Sequence, residues 1–214
     1  MRKLGCLVVL VALVIAAWLF RGSIRRAVGG GRGDTAVAAG PTWEPLTREG
    51  AERARAAIAR LREPRGPLYV NVSAGDLTSY IYQQLARQLP PSADSIEAAA
   101  FGERLYVRAS VKLDDLGGAK VLGPLAGFLG ERERMQFGGG FHIIRPGLAE
   151  FRVEEIRLRD FSVPAAMIPR ILRQIERGSR PAGLAENGLP LLVPADVGDV
   201  RVQTRKVTLY KSTP

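Results

Sequence analysis

The chain has 214 residues, 46% of them hydrophobic and 24% charged, with a formal net charge of +10. That composition excludes the disordered, collagen-like and low-complexity classes. The length allows one folded domain with a core large enough to need no staples, plus an additional segment, and the single cysteine, Cys6, excludes an intramolecular disulfide.

The additional segment comes first. Residues 4–20, LGCLVVLVALVIAAWLF, carry no charge, and as a helix they reach about 25 Å, near the lower limit for crossing a bilayer. Trp18 falls at the level of an aromatic belt, and Arg21 can snorkel to the headgroups. Arg2 and Lys3 would also suit the start of a signal peptide, but the first small-x-small site, Ala36-Val37-Ala38, is too far from the apolar run for ordinary cleavage. Residues 1–20 therefore read as a cytoplasmic tip and an uncleaved single-pass anchor in the inner membrane. The arginines after the span pull against this orientation, whereas the very short N-terminal tail favours an extracytoplasmic C-terminal domain. Residues 21–43 are rich in Gly and Arg and read as a flexible tether, whose arginines either rest on anionic lipid or serve solubility alone.

The remaining residues, 44–214, read as one α+β domain. A helix is expected from Thr47 as N-cap to Glu63, with Ala51, Ala54, Ile58 and Leu61 as its apolar stripe and Pro64 as its stop. After a short strand at Leu68–Val72, Ser73-Ala74-Gly75-Asp76 imitates a capping box. The helix it opens carries Leu77, Ile81, Leu85 and Leu89 on one face, with Tyr80 and Tyr82 flanking, and ends at Pro90-Pro91.

The middle of the chain alternates with period two. Leu105, Val107, Ala109, Val111 and Leu113 face one way, and Tyr106, Arg108, Ser110 and Lys112 the other; residues 95–101 form the partner strand across a Gly102-Glu103 turn. Met135, Phe137, Gly139, Phe141 and Ile143 repeat the pattern, and Pro146-Gly147 turns the chain into Phe151 and Val153. The phase slips at Glu154-Glu155 before resuming at Ile156 and Leu158, the mark of a β-bulge in a bent antiparallel sheet. The apolar, Gly- and Pro-broken run at residues 121–130 reads as a short helix or loop over an open edge. Ser162 is expected to cap a helix begun by Pro164, with Met167, Ile168, Ile171, Leu172 and Ile175 on its buried side. Residues 189–194 lead into a last strand at Val200-Arg201-Val202, which resumes at Val207 and Leu209 after the polar residues 203–206.

The inventory of reactive groups is thin. His142, the only histidine, falls on the polar face of its strand, and Cys6 lies inside the apolar segment, so no His/Cys metal set and no nucleophile–histidine pair can be assembled. Asp114-Asp115 and Glu154-Glu155 are sequence neighbours that point apart on a strand. Gly138-Gly139-Gly140 sits inside a strand pattern and lacks the helix and Lys-Ser/Thr of a phosphate loop. Arginines alternate with acids in stretches such as Glu131-Arg132-Glu133-Arg134, the pattern of a solvated face and not of a nucleic-acid-binding sheet. The expectation is a non-catalytic protein without metal, cofactor or nucleic-acid partner.

The order of elements carries a resemblance. An N-terminal anchor, Ser73-Ala74-Gly75-Asp76-Leu77 opening a helix, two hairpins, Leu158-Arg159-Asp160-Phe161-Ser162-Val163-Pro164 running into a helix, then Leu189-Pro190 and Val200-Arg201-Val202 resemble membrane-anchored bacterial extracytoplasmic domains. Those domains are thought similar to the TULIP superfamily of tubular lipid-binding proteins. The resemblance covers residues 66–211 and leaves the 47–63 helix without a counterpart. It implies a curved sheet wrapped around one or two helices and an apolar groove. Leu77, Ile81 and Leu85 would line that groove from the first long helix, and Met167 and Ile171 from the last. The sheet would contribute Leu105, Val107, Ala109 and Val111 from one hairpin and Phe137, Gly139 and Phe141 from the other. Two functions remain open: an envelope carrier of a lipid or other hydrophobe, and a structural subunit of an envelope complex whose apolar faces are a plain core. Inward-facing Ala109 and Gly139 leave space that an acyl chain, a packed helix or a glycine-requiring bulge could each explain.

Overall fold

The computed structural model describes residues 40–85, 92–116, 130–175 and 180–212. The expected anchor at 4–20, the tether up to residue 39, Leu89, Pro90-Pro91 and the apolar run at 121–129 lie outside the described residues. Among the described residues no helix is long and apolar enough to cross a membrane.

Two helices follow a short strand, β1 (Glu44–Pro45). Helix α1 spans Arg48–Arg62, and its cap is the expected one: the Thr47 hydroxyl accepts from the Gly50 N–H at 2.9 Å. Ala51, Ala54, Ile58 and Leu61 form its buried stripe, and it stops at Glu63, just before Pro64. Strand β2 (Tyr69–Val72) then leads into α2 (Ala74–Leu85). Only half of the expected capping box forms here. The Ser73 hydroxyl accepts from the Asp76 N–H at 3.2 Å, but the Asp76 carboxylate turns to the Arg53 guanidinium, at 2.6 and 3.0 Å. A long-range contact takes its place: Glu44 accepts from the Ser73 hydroxyl and the Gly75 N–H, pinning β1 over the start of α2.

The larger sheet is antiparallel and has seven strands. Besides β1 it contains β3 (Asp94–Phe101), β4 (Arg104–Lys112), β5 (Arg132–Arg145), β6 (Leu148–Leu158), β7 (Phe161–Ser162) and β8 (Gly188–Leu192), in the order β1-β3-β4-β5-β6-β7 with β8 also on β6. Gly102 makes the β3–β4 turn with φ +61°, a conformation that favours glycine. The phase slip in β6 is a bulge: Gly138 opposes Glu155 and Gly139 opposes Val153, which leaves Glu154 as the extra residue. Asp114 and Asp115, expected on a strand, lie instead in a short 3-10 turn, Leu113–Leu116, that continues from β4.

The C-terminal third departs most from expectation. Ser162 caps nothing, because β7 pairs it with Arg157; a 3-10 turn, Ala165–Met167, then enters α3 (Ile168–Ile175), with Pro164 as an N-cap that offers no side-chain bond. The segment at Leu189 is itself an edge strand, β8, where Pro190 is tolerated because one edge of the strand needs no partner. Buried Glu150 holds the turn before β8 by accepting from the Ala185 N–H at 2.8 Å and from Arg152 at 2.6 Å. The last strand is two strands, not one resumed: β9 (Val197–Gln203) and β10 (Lys206–Lys211) form a hairpin through Thr204 and Arg205, the latter at φ +69°. With β2 this hairpin makes a second, three-stranded antiparallel sheet.

The fold is therefore α+β, built mainly from open antiparallel sheets, and Gly40–Pro214 is one compact unit with its own core. Met135, Ile156, Leu158, Ile171 and Leu172 are among its most completely buried side chains.

Candidate hydrophobic-ligand site

Helix α2 lies over the apolar face of β3–β6 but does not fill the space beneath it. Thr78, Ile81 and Tyr82, at helical i, i+3 and i+4, face the inward residues of the sheet across a cavity of about 170 Å³. Strand β4 contributes Leu105, Val107, Ala109 and Val111 to its wall, and β5 contributes Met135, Phe137 and Phe141. The register explains why these converge: Leu105, Val107 and Ala109 pair with Gly139, Phe137 and Met135, and Phe141 pairs with Phe151 on β6. Phe141 and Phe151 pack with ring centroids 5.4 Å apart. The rim is completed by Leu46 after β1, Ala93 and Ile96 at the start of β3, and Leu189 and Leu191 of β8.

Among the described residues no Asp, Glu, His, Lys, Arg or Cys is in this wall. Its volume is near the roughly 150 Å³ of apolar cavities that admit benzene, but it is a cleft partly open to solvent and not a sealed void.

Seven of the residues expected to line a groove meet here: Ile81, Leu105, Val107, Ala109, Val111, Phe137 and Phe141. Four others do not. Leu77 is buried in the core one position round the helix from the cavity face. Met167, in the 3-10 turn, packs partly buried against the core and Ile171 of α3 lies within it, both away from the cavity wall. Gly139 leaves no inward space: a Cβ there would come 2.0 Å from the Arg152 carbonyl oxygen and 3.2 Å from the Phe151 ring, so the bulge brings two backbones too close for any side chain. The side chain of Leu85 lies outside the described residues. Sequence reasoning missed Leu189 and Leu191, although their alternation across Pro190 is the signal of an edge strand. It also missed Leu46, Ala93 and Ile96, which only tertiary pairing brings to the site.

The opposite face of the sheet is chemically different. Arg108 bonds Glu97 at 2.7 Å and stacks on Trp43 at 3.9 Å, Arg104 meets Glu154 at 2.8 Å, and Arg157 meets Glu155 at 2.6 Å. The Arg108 hydrogen bond holds the Glu97 carboxyl below its ordinary range. His142 is exposed and outside the cavity wall. Among the described residues there is no group of three or more His, Cys, Asp and Glu placed to hold a metal ion.

No protein family, curated protein or solved structure matches this chain.

Proposed function

We propose that this protein binds a small hydrophobic molecule, or the apolar end of a lipid, between α2 and the inner face of β3–β6. It acts without catalysis, as a carrier held at the inner membrane by residues 4–20 with its α+β domain outside the cytoplasm. The single observation that carries this reading is the space beneath α2, whose surface among the described residues is apolar.

A second reading, a non-catalytic interaction subunit of an envelope complex, draws on a separate surface. Leu68 and Tyr69 are 74% and 54% exposed, and Tyr69 packs against Tyr210. Native mass spectrometry of residues 40–214 purified from the expressing cell separates the two readings. Carriage predicts co-purified hydrophobe that Ala109→Phe displaces; a domain free of adducts in both forms favours the interaction subunit.

A further inference from the structure

Two adjacent hydroxyls on α2 have opposite fates. Ser79 is satisfied in both directions: it donates to the Gly75 carbonyl at 2.6 Å and accepts from the Thr47 N–H at 3.0 Å. Thr78 is only 7% exposed, and its Oγ1 is buried without a protein hydrogen-bond partner. A threonine inside a helix ordinarily bonds the carbonyl three or four residues back, and a buried hydroxyl that makes no bond is costly enough to require an explanation. Its position is what matters. Thr78 belongs to the cavity wall, which it meets through its methyl with Oγ1 turned away from the space, and among the described residues Tyr82 is the one other hydroxyl-bearing side chain there.

We infer that the ligand of this cavity is a neutral amphiphile, an alcohol, ester or amide, whose polar atom hydrogen-bonds the Thr78 hydroxyl. This rests on the reading of the cavity as a binding site. Threonine in a helix is divided between two χ1 rotamers, so a turn about one bond exchanges its methyl for its hydroxyl at the wall without disturbing the backbone. The apolar body of the ligand occupies the space among Val107, Ala109, Phe137 and Phe141, which suits a compact unit of roughly six to eight carbons. Neutrality at the depth of Thr78 follows from the wall: among the described residues it holds no Lys, Arg or His, so an ionised carboxylate drawn in to Thr78 would have no counter-charge.

The test uses residues 40–214, the unit that carries its own core, as wild type and as Thr78→Val, a substitution of nearly equal shape. Each is titrated calorimetrically with 1-octanol, octane and octanoate at pH 7. The expected result is that Thr78→Val weakens octanol binding about tenfold, the equivalent of one hydrogen bond of about 1.4 kcal/mol, and leaves octane unchanged. The ligand-free variant should melt higher, because a buried hydroxyl without a partner is gone. Octanoate should bind both forms more weakly than octanol binds wild type. Equal octanol affinity for the two forms, with octane still bound, would overturn the inference and leave the cavity reading standing; so would octanoate binding more tightly than octanol. Binding of neither octane nor octanol to wild type would overturn both.

Discussion

Strand β4 separates two environments built on different principles. On its outer face Tyr106, Arg108 and Ser110 meet water, and the charge of Arg108 is matched by Glu97 beside it. On its inner face Leu105 and Val111 are buried and Val107 and Ala109 partly so, and the latter two border the open cleft beneath the helix. The outer face matches its charges internally, whereas the inner one borders an open apolar cleft. On the proposed reading, function belongs to the apolar half of the sheet, even though the charged half holds most of the conventional chemistry.

The comparison sharpens when the cavity is set against the packed core. Leu172 of α3 is fully buried and outside the cavity wall. Leu172→Ala should cost about 2–5 kcal/mol in urea unfolding, the usual range for a buried leucine. Gly139→Ala comes next, because its Cβ would strike the Arg152 carbonyl oxygen at 2.0 Å and force the bulge apart; about 1–3 kcal/mol is expected. Ala109→Phe differs in kind. Its ring grows into existing space, so the ligand-free domain should lose less than about 1 kcal/mol, or gain stability, while uptake of octane and octanol disappears. A loss at Ala109 as large as that at Leu172 would make the inner face an ordinary core.

Legibility from sequence followed the range of the interactions. Helix α1 was readable to within a residue because its cap, stripe and stop are all local: Thr47, the Ala51 to Leu61 spacing, and Pro64. The bulge at Glu154 was readable because a period-two pattern shows a missing beat. The three-stranded sheet was not, since β2 and β10 are more than a hundred residues apart and nothing local in either names the other. The same limit affected the site. Ala109 stood out as a small residue in a strand of large ones, and Gly139 looked identical to it. Only the register shows that the space at Gly139 is taken by backbone while that at Ala109 is open. Ser162 was misread for the converse reason, a good local cap signal overridden by strand pairing with Arg157.

The smallest expected effect belongs to the outer face. Glu97 is held below the ordinary carboxylate value of 4.5, first by its hydrogen bond from Arg108. A carboxyl whose folded pKa is depressed contributes stability that is present above the unfolded value and lost as pH falls through the folded one. The contribution of the pair is therefore intact at neutral pH and disappears on acidification below about pH 4.5. Both side chains are partly exposed, 21% for Arg108 and 29% for Glu97, so solvent screening limits the pair to about 0.2–1 kcal/mol. Glu97→Gln should cost no more than this at pH 7, and wild type and variant should converge in stability as the pH falls through the depressed folded value. Hydrophobe uptake should be the same in both, because the substitution touches the face that the ligand does not. Loss of octane or octanol binding in Glu97→Gln would mean that the two faces of β4 are coupled, and that the charged lattice sets the shape of the cavity behind it.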